Sequence, residues 1–445
     1  MLSTDAADDA PRPPAAEGGR GTSLATGRWL LALFLTALLV RMVVAVRLGE
    51  AAVFPDSLAY RNIARNLLAG RGFGESADRR ASRAPGYPLL LALVPGGASG
   101  SLVPVRLVQS LIGASTCLLV WLLARHLFGT PTAFAAMSMA AIYPFHIYLA
   151  GAILAEVLFM FLLTAAMLIL ARVIVPAGVL REATGAQRRA AAQSLAAGAL
   201  LGAATLTRAS LFLFPFFLLP LWLWARRPRR PVLRQWFLLM LGFGLVMAPW
   251  VWRNWRIYGR FVPTTLQAGE SLYEANNPDA TGGPMLDEVE RALPEVMQLS
   301  EYERDREFRL RALRYMAANP GRTLHLALIK LSRFWNIVPN HAPFRTPFVV
   351  AVSVISYVPV LVLALLGVIG LVCRRGWDVL LVLLAPIVYY SFLHSIFVGS
   401  LRYRMPVELF LFVLAGFGLC EWWQCASRRL RMTMGGRCAG ARLQV

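Results

Sequence analysis

Lysine is all but missing from this chain: Lys330 is the only one among 445 residues, so the net charge of +21 is carried almost wholly by arginine. Charge of any kind is scarce, at 16% of residues against 57% hydrophobic, and the mean hydropathy is +0.56. That balance excludes an ordinary soluble domain and assigns most of the chain to lipid. Cysteine is limited to Cys117, Cys373, Cys420, Cys425 and Cys438. Their positions fall in predicted helices or at helix ends without paired spacing, which excludes a disulfide framework and a zinc motif. The five histidines are scattered, with no His-x-x-x-His or His/Asp cluster to argue for a metal; core or interface roles suit His146, His341 and His394. No internal repeat of the kind found in transporters is visible. Basic runs lie beside apolar spans, which fits positive-inside loops better than nucleic-acid binding.

What the sequence has in abundance is long apolar runs. Residues 1–28, rich in Ala, Pro, Gly and Asp, read as a disordered cytoplasmic tail. Runs follow at about 29–49, 101–127, 130–150, 152–175, 191–208, 209–225, 235–257, 348–372, 378–398 and 405–424. Each approaches the roughly 20 residues a bilayer requires. Backbone in lipid must satisfy its own hydrogen bonds, so the fold class expected is an all-α polytopic membrane protein of about ten or more transmembrane helices. Arg41 interrupts the first run, and no small-residue cleavage site follows, so that run reads as a retained anchor.

Arginine sets the orientation. Arg125, Arg181/Arg188/Arg189, Arg226/Arg227/Arg229/Arg230, Arg374/Arg375 and Arg428/Arg429/Arg431 share one face if the spans alternate, and that face is cytoplasmic. Both termini then lie inside. An N-terminal transmembrane module covers 29–257, with its first outer loop at 50–88. A soluble-character segment at 258–347 lies outside, 348–424 returns to the membrane, and 425–445 forms a basic cytoplasmic tail. Within the outer segment, 323–339 is apolar but holds Lys330 and Arg333, and reads as an interfacial amphipathic helix.

The chemistry concentrates in Phe54–Pro88, which carries Asp56, six arginines, a Gly-Arg-Gly-Phe-Gly turn and an Arg83-Ala-Pro-Gly-Tyr-Pro88 close. Asp56 begins a helical pattern that places it on one face with Tyr60 and Ile63. Alone it would read as a helix N-cap; among so many cations it suits a general base beside an anion site. Two prolines and a glycine after Arg83 would fix its guanidinium for phosphate recognition, whereas Arg79 and Arg80 suit headgroups or solvent. Glu156, near the outer end of a span, is costly there unless it faces a polar cavity or pairs with an outer arginine. Arg208, Arg402 and Arg404 end spans on the same face, to snorkel or to bind a lipid phosphate, and Glu408 suits a partner for Arg402 or Arg404.

In order along the chain stand Asp56-Ser-Leu-Ala-Tyr60, Leu-Leu-Ala-Gly-Arg-Gly-Phe-Gly, Arg83-Ala-Pro-Gly-Tyr-Pro88, Tyr143-Pro144 with Leu154-Ala-Glu156, Ala248-Pro-Trp-Val-Trp-Arg253-Asn254 and Arg402-Tyr-Arg-Met-Pro406. That ordered set resembles the bacterial polyprenyl-phosphate-dependent glycosyltransferases of the GT-C superfamily. Within it the set is close to family 39, which includes the protein O-mannosyltransferases and the aminoarabinose transferases of lipid A. The resemblance implies a GT-C-like bundle with outer-face loops and amphipathic juxtamembrane helices. The implied activity is transfer of a monosaccharide, with inversion, from a polyprenyl-phosphate carrier to a lipid, glycan or protein acceptor on the extracytoplasmic face. It implies Asp56 and Glu156 as the catalytic acids, with Arg83, Arg208, Arg402 and Arg404 on the donor phosphate. Tyr60 and Tyr87 are the substrate contacts, no metal ligands are named, and a divalent cation stays open as cofactor. Where many relatives carry a second acidic residue after the catalytic one, this chain has Ser57.

Two other functions use the same features. A transporter or flippase could bind a lipid-linked or anionic substrate with these arginines. A polymerase or ligase could move whole glycan blocks from a polyprenyl-diphosphate carrier.

Overall fold

The computed structural model describes residues 19–48, 54–176, 184–226 and 228–440, and no strand occurs among them. In chain order come α1 (Gly19–Arg47), α2 (Pro55–Leu68), α3 (Gly86–Leu93), α4 (Val103–Phe128), α5 (Thr130–Ile142), α6 (Pro144–Gly151), α7 (Glu156–Ile174) and α8 (Thr184–Thr205). A 3-10 turn at Ala209–Leu211 leads into α9 (Phe214–Ala225) and α10 (Arg229–Tyr258). The segment beyond holds α11 (Ala268–Ala275), α12 (Leu286–Ala292), α13 (Pro294–Met297), α14 (Glu301–Ala318) and α15 (Pro320–Phe334). The chain then returns to the bundle in α16 (Pro347–Cys373), α17 (Trp377–Ile396) and α18 (Leu401–Gly440).

Among the described residues, seven helices are long and apolar enough to cross a membrane, or eight if α5 and α6 form one broken span. Ten were expected. The difference lies in α8, whose first half carries Gln187, Arg188, Arg189 and Gln193, and in Ala209–Ala225, which is too short to cross alone. Two boundaries also move. Helix α1 begins at Gly19, ahead of the expected entry at 29, and α18 continues helical to Gly440 through most of the expected basic tail. The rest of the expected N-terminal tail, Arg181, Arg227 and the side chains of Arg428, Arg429 and Arg431 lie outside the described residues. The segment expected to be amphipathic is α15; it buries Leu326, Lys330 and Phe334, exposes Leu324 and Leu328, and is not among the candidate spans.

Buried cations explain how a broken helix survives in the bundle. Helices α5 and α6 meet at Tyr143-Pro144 with a bend of 52°, because proline brings no N–H and ends the helix before it. The carbonyls this frees need donors. Arg41, 1% exposed, donates to Ala140 O and Ala141 O, both at 2.9 Å. At the far end of α6, Arg106 Nε donates to Gly151 O at 2.7 Å, and Gln109 Nε2 donates to Ala150 O and Ala152 O. Arg41 is thus a structural cap inside the first span, and α6 is pinned where it hands the chain to Glu156.

Two loop regions interlock over one end of the bundle. Glu301 Oε2 accepts from Arg80 N at 2.8 Å and from Tyr258 Oη at 2.5 Å, and Leu266 N donates to Ala81 O. The Phe54–Pro88 loop is therefore clamped to α14 and to the segment leading into α11. Lys330 ties the same cap to the bundle by donating to Asn276 Oδ1 at 2.9 Å and Ile396 O at 2.7 Å. At the opposite end Arg226 pairs with Asp378, and Arg374 pairs with Glu421.

Candidate active site

Local geometry delivers each charged group separately. Helix α2 starts at Pro55 with Phe54 as its N-cap, so Asp56 is not the cap and its carboxylate stays free for other partners. Ser57 completes the helix start, accepting from Phe54 N at 3.0 Å while its hydroxyl donates to Ile153 O at 2.9 Å. The Arg83 loop is pressed onto the turn after α8. Gly86 N donates to Leu206 O at 2.6 Å, and a Cβ at Gly86 would lie 2.6 Å from Thr207 Oγ1. Only glycine allows this approach. It places Arg83 on the same cavity as Arg208, which sits in extended backbone between α8 and the 3-10 turn. Arg402 arrives from the first turn of α18.

These groups form one chain of ion pairs. Arg83 Nη2 donates to Asp56 Oδ1 at 2.9 Å, and Arg402 Nη1 donates to Asp56 Oδ2 at 2.8 Å. Arg402 Nε also donates to Glu156 Oε1, which accepts from Arg208 Nη1 at 2.5 Å. Three guanidinium groups thus face two carboxylates, leaving one positive charge over. Burial alone would push the Asp56 carboxyl up; the charges of Arg402 and Arg83 outweigh it and hold that group below the usual carboxylate range.

The network borders a cavity of about 360 Å³ lined by Asp56, Tyr60, Arg83, Arg208 and Arg402. Asp56 is 28% exposed there, but Glu156 is fully buried behind the arginines and does not line the cavity. Tyr87 does not line it either. Its hydroxyl donates to Gln109, and its ring packs edge-on against Tyr60 with centroids 5.0 Å apart. Arg404 departs furthest from expectation. It is fully buried in a second cluster, donating to Glu408 at 2.8 Å and to Asn336 O at 2.5 Å, with Tyr357 beneath its guanidinium at 3.8 Å. His146 and Tyr143 complete that cluster around Glu408.

Sequence reasoning missed the wall contributed by 264–274, where Thr264, Gln267, Ser271 and Glu274 line the cavity, and missed His394 on α17. Gln267 accepts from Arg83 Nη1. A run of small polar residues in a soluble-looking loop carries no signal of its own. Among the described residues no group of three or more His, Cys, Asp or Glu is placed to hold a metal, and Arg402 occupies the position between the two carboxylates.

Residues 82–252, which include Arg83, Glu156 and Arg208, match the family model described as dolichyl-phosphate-mannose-protein mannosyltransferase. Over those residues the chain is similar to that family. The helical bundle has a GT-C-like fold: the Archaeoglobus fulgidus oligosaccharyltransferase AglB, in complex with an inhibitory peptide and a dolichol-phosphate, superposes with a TM-score of 0.58 at 15% identity, covering 94% of this chain and 52% of that one. The apo form of the A. fulgidus oligosaccharyltransferase gives 0.56 at 15% identity over 91% and 52%. The chain therefore spans about half the length of these proteins. ArnT from Cupriavidus metallidurans bound to undecaprenyl phosphate is similar at 16% identity over 88% of this chain and 78% of that one. Its TM-score of 0.44 is too loose a superposition to align individual residues. No curated protein sequence matches the chain.

Proposed function

We propose that this chain is a membrane glycosyltransferase that moves one sugar from a polyprenyl-phosphate donor to an acceptor hydroxyl, with inversion. The observation that carries the reading is Asp56, a partly exposed carboxylate gripped by Arg83 and Arg402 on the wall of a cavity that Arg208 also lines. A base for the incoming hydroxyl and cations for a departing phosphate are the two requirements of transfer through an oxocarbenium-like state. The acceptor oxygen bonds to the anomeric carbon as the bond from that carbon to the phosphate oxygen breaks. The hydroxyl proton passes to Asp56, and polyprenyl phosphate leaves on the arginines.

Paired with Arg83 and Arg402, Asp56 is a weak base. A donor phosphate competes for Arg83 and Arg402, so its arrival loosens both pairs and restores basicity where it is used. The one surplus positive charge matches the single charge of a phosphodiester and falls short of a diphosphate, which favours a monophosphate-linked donor. Glu156, out of reach of the cavity, serves by positioning Arg208 and Arg402. The family segment and the arginine-rich opposite end of the bundle support a site on the extracytoplasmic face of a cell membrane, with membrane lipid around it and a lipid, glycan or protein as acceptor.

The test is transfer of a labelled sugar from polyprenyl phosphate by purified protein in detergent. Wild type makes a new glycosidic bond, which a carrier does not. Asp56→Asn remains folded and inserted but loses roughly 10²- to 10⁴-fold in rate, the usual share of a general base. Turnover at the wild-type rate in that variant would remove Asp56 from its role.

A further inference from the structure

The charged groups of the cavity leave one of its walls without a task. Thr264 and Thr265 lead into α11, and Gln267, Ser271 and Glu274 follow at intervals of four and three residues, the spacing that aligns side chains on one helical face. The other face of α11 is locked in place. Gly269 N donates to Asp305 Oδ1 at 2.6 Å, and a Cβ at Gly269 would lie 1.9 Å from the carbonyl oxygen of Asp305, so α14 is in direct backbone contact. Glu270 pairs with Arg304 at 2.9 Å. The helix cannot rotate its polar face out of the cavity without breaking these contacts.

Gln267 and Glu274 on that face already have partners, in Arg83 and in Met285 N, and its hydroxyls are free. The hydroxyls of Thr264, Thr265 and Ser271 have no hydrogen-bond partner among the described residues. His394, 5% exposed on the same cavity, uses Nδ1 on Val398 O at 3.0 Å, and its buried Nε2 has no partner. Buried polar groups are ordinarily paired, so His394 Nε2 calls for a partner, and the three partly exposed hydroxyls beside it suit a ligand rich in hydroxyls.

We infer that the Thr264–Glu274 wall, with His394, is the subsite for the monosaccharide ring of the donor; this rests on the donor reading above. Gln267 accepts from Arg83, so the wall begins at the phosphate clamp and runs away from it. From Gln267 to Glu274 the helix advances about 10 Å at 1.5 Å per residue, room for one ring beside the phosphate and not for an extended glycan. Hydroxyl and amide groups pair with ring hydroxyls, as guanidinium groups pair with phosphate.

The experiment is equilibrium binding by the full chain in lipid nanodiscs, with undecaprenyl phosphate and a panel of polyprenyl-phosphate monosaccharides as probes. Ser271→Ala and Thr264→Val, each removing one hydroxyl, weaken the best-bound sugar lipid by about 3- to 10-fold and leave undecaprenyl phosphate unchanged. Equal losses for both probes, no loss for either, or an effect confined to the acceptor KM overturns the subsite and leaves the donor reading standing. Wild-type protein that binds neither probe overturns the donor reading itself, and the subsite with it.

Discussion

Arg402 donates from Nη1 to Asp56 at 2.8 Å, so the start of α2, which carries the carboxylate, is tied to the first turn of α18. The same guanidinium donates from Nε to Glu156, which makes Arg402 the hinge of the whole charge network. Removing it separates two effects. In Arg402→Gln, kcat/KM falls by about 10²- to 10³-fold, as expected when one donor to developing charge is lost. Asp56 must be ionised to act, so activity disappears as pH falls through its lowered pKa. Without Arg402 that lowering is weaker, and the acidic limb of the residual activity moves to higher pH. A pH profile whose acidic limb stays in place would sink the electrostatic role given to Arg402.

Glu156 offers a test of positioning against direct chemistry. Its carboxylate pairs with Arg208 and Arg402, and on the proposed reading it competes for them with the donor phosphate. Glu156→Gln therefore lowers kcat through misplaced arginines, yet tightens binding of undecaprenyl phosphate, because one competing negative charge is gone. The readout is the inhibition constant of added undecaprenyl phosphate. If kcat drops with product affinity unchanged or weakened, Glu156 takes part in the chemistry in some other way.

The arginine loop was readable because its parts lie within one short stretch: Asp56 opens a helical pattern, and prolines and a glycine follow Arg83. Glu156 was readable because a carboxylate inside a span must be compensated. Arg402 and Arg404 could not be separated by eye. Residues two apart on a helix point about 200° away from each other, so only one faces the cavity, and the choice depends on how α18 packs against α16. The excess of expected spans has a similar origin. Helix α8 is rich in Ala and Gly and buries itself by close approach: a Cβ at Gly198 would lie 1.9 Å from Leu239 O on α10. Small residues favour helix contact while lowering hydropathy. The cavity-facing wall of α11 was invisible, since Gln, Ser and Glu in a polar segment are expected at any solvated surface.

Gly86 links local sequence to site geometry. Gly86→Ala sets a methyl against Thr207 Oγ1 and Leu206 O, the latter 2.9 Å away, so the loop lifts and Arg83 shifts against Asp56. A shift of about 1 Å costs up to 10²-fold in rate when groups must be aligned. The expected outcome is a fall in kcat/KM of about 10- to 100-fold with the protein still extractable and monodisperse. Wild-type activity would mean that the contact between these two turns does not set the position of Arg83.

The second buried cluster predicts loss of stability. Glu408 accepts from Arg404 and Tyr143, and removing its charge leaves Arg404 buried without its carboxylate. Glu408→Gln is expected to cost about 3 kcal/mol, the lower end for breaking a buried ion pair. In detergent the melting temperature falls clearly, while kcat per folded molecule at low temperature changes little. A variant with normal melting but no turnover would move this cluster into the catalytic machinery.

Glu274 carries the last prediction, which separates its ionisation from its shape. Burial, only partly offset by the backbone N–H groups of Met285 and Leu286, pushes its carboxyl up from 4.5 to about 7. Below that window both folded and unfolded chains hold the proton. Within it the folded chain keeps a proton that the unfolded chain has released, so this group's contribution to stability is lost as pH rises through about 7. In Glu274→Gln no proton is exchanged at this position. The melting temperature of wild type, measured across the window in one detergent, should therefore fall more steeply with pH than that of the variant. Parallel curves would mean that Glu274 titrates normally and that the α11 wall is wetter than its packing against α14 implies.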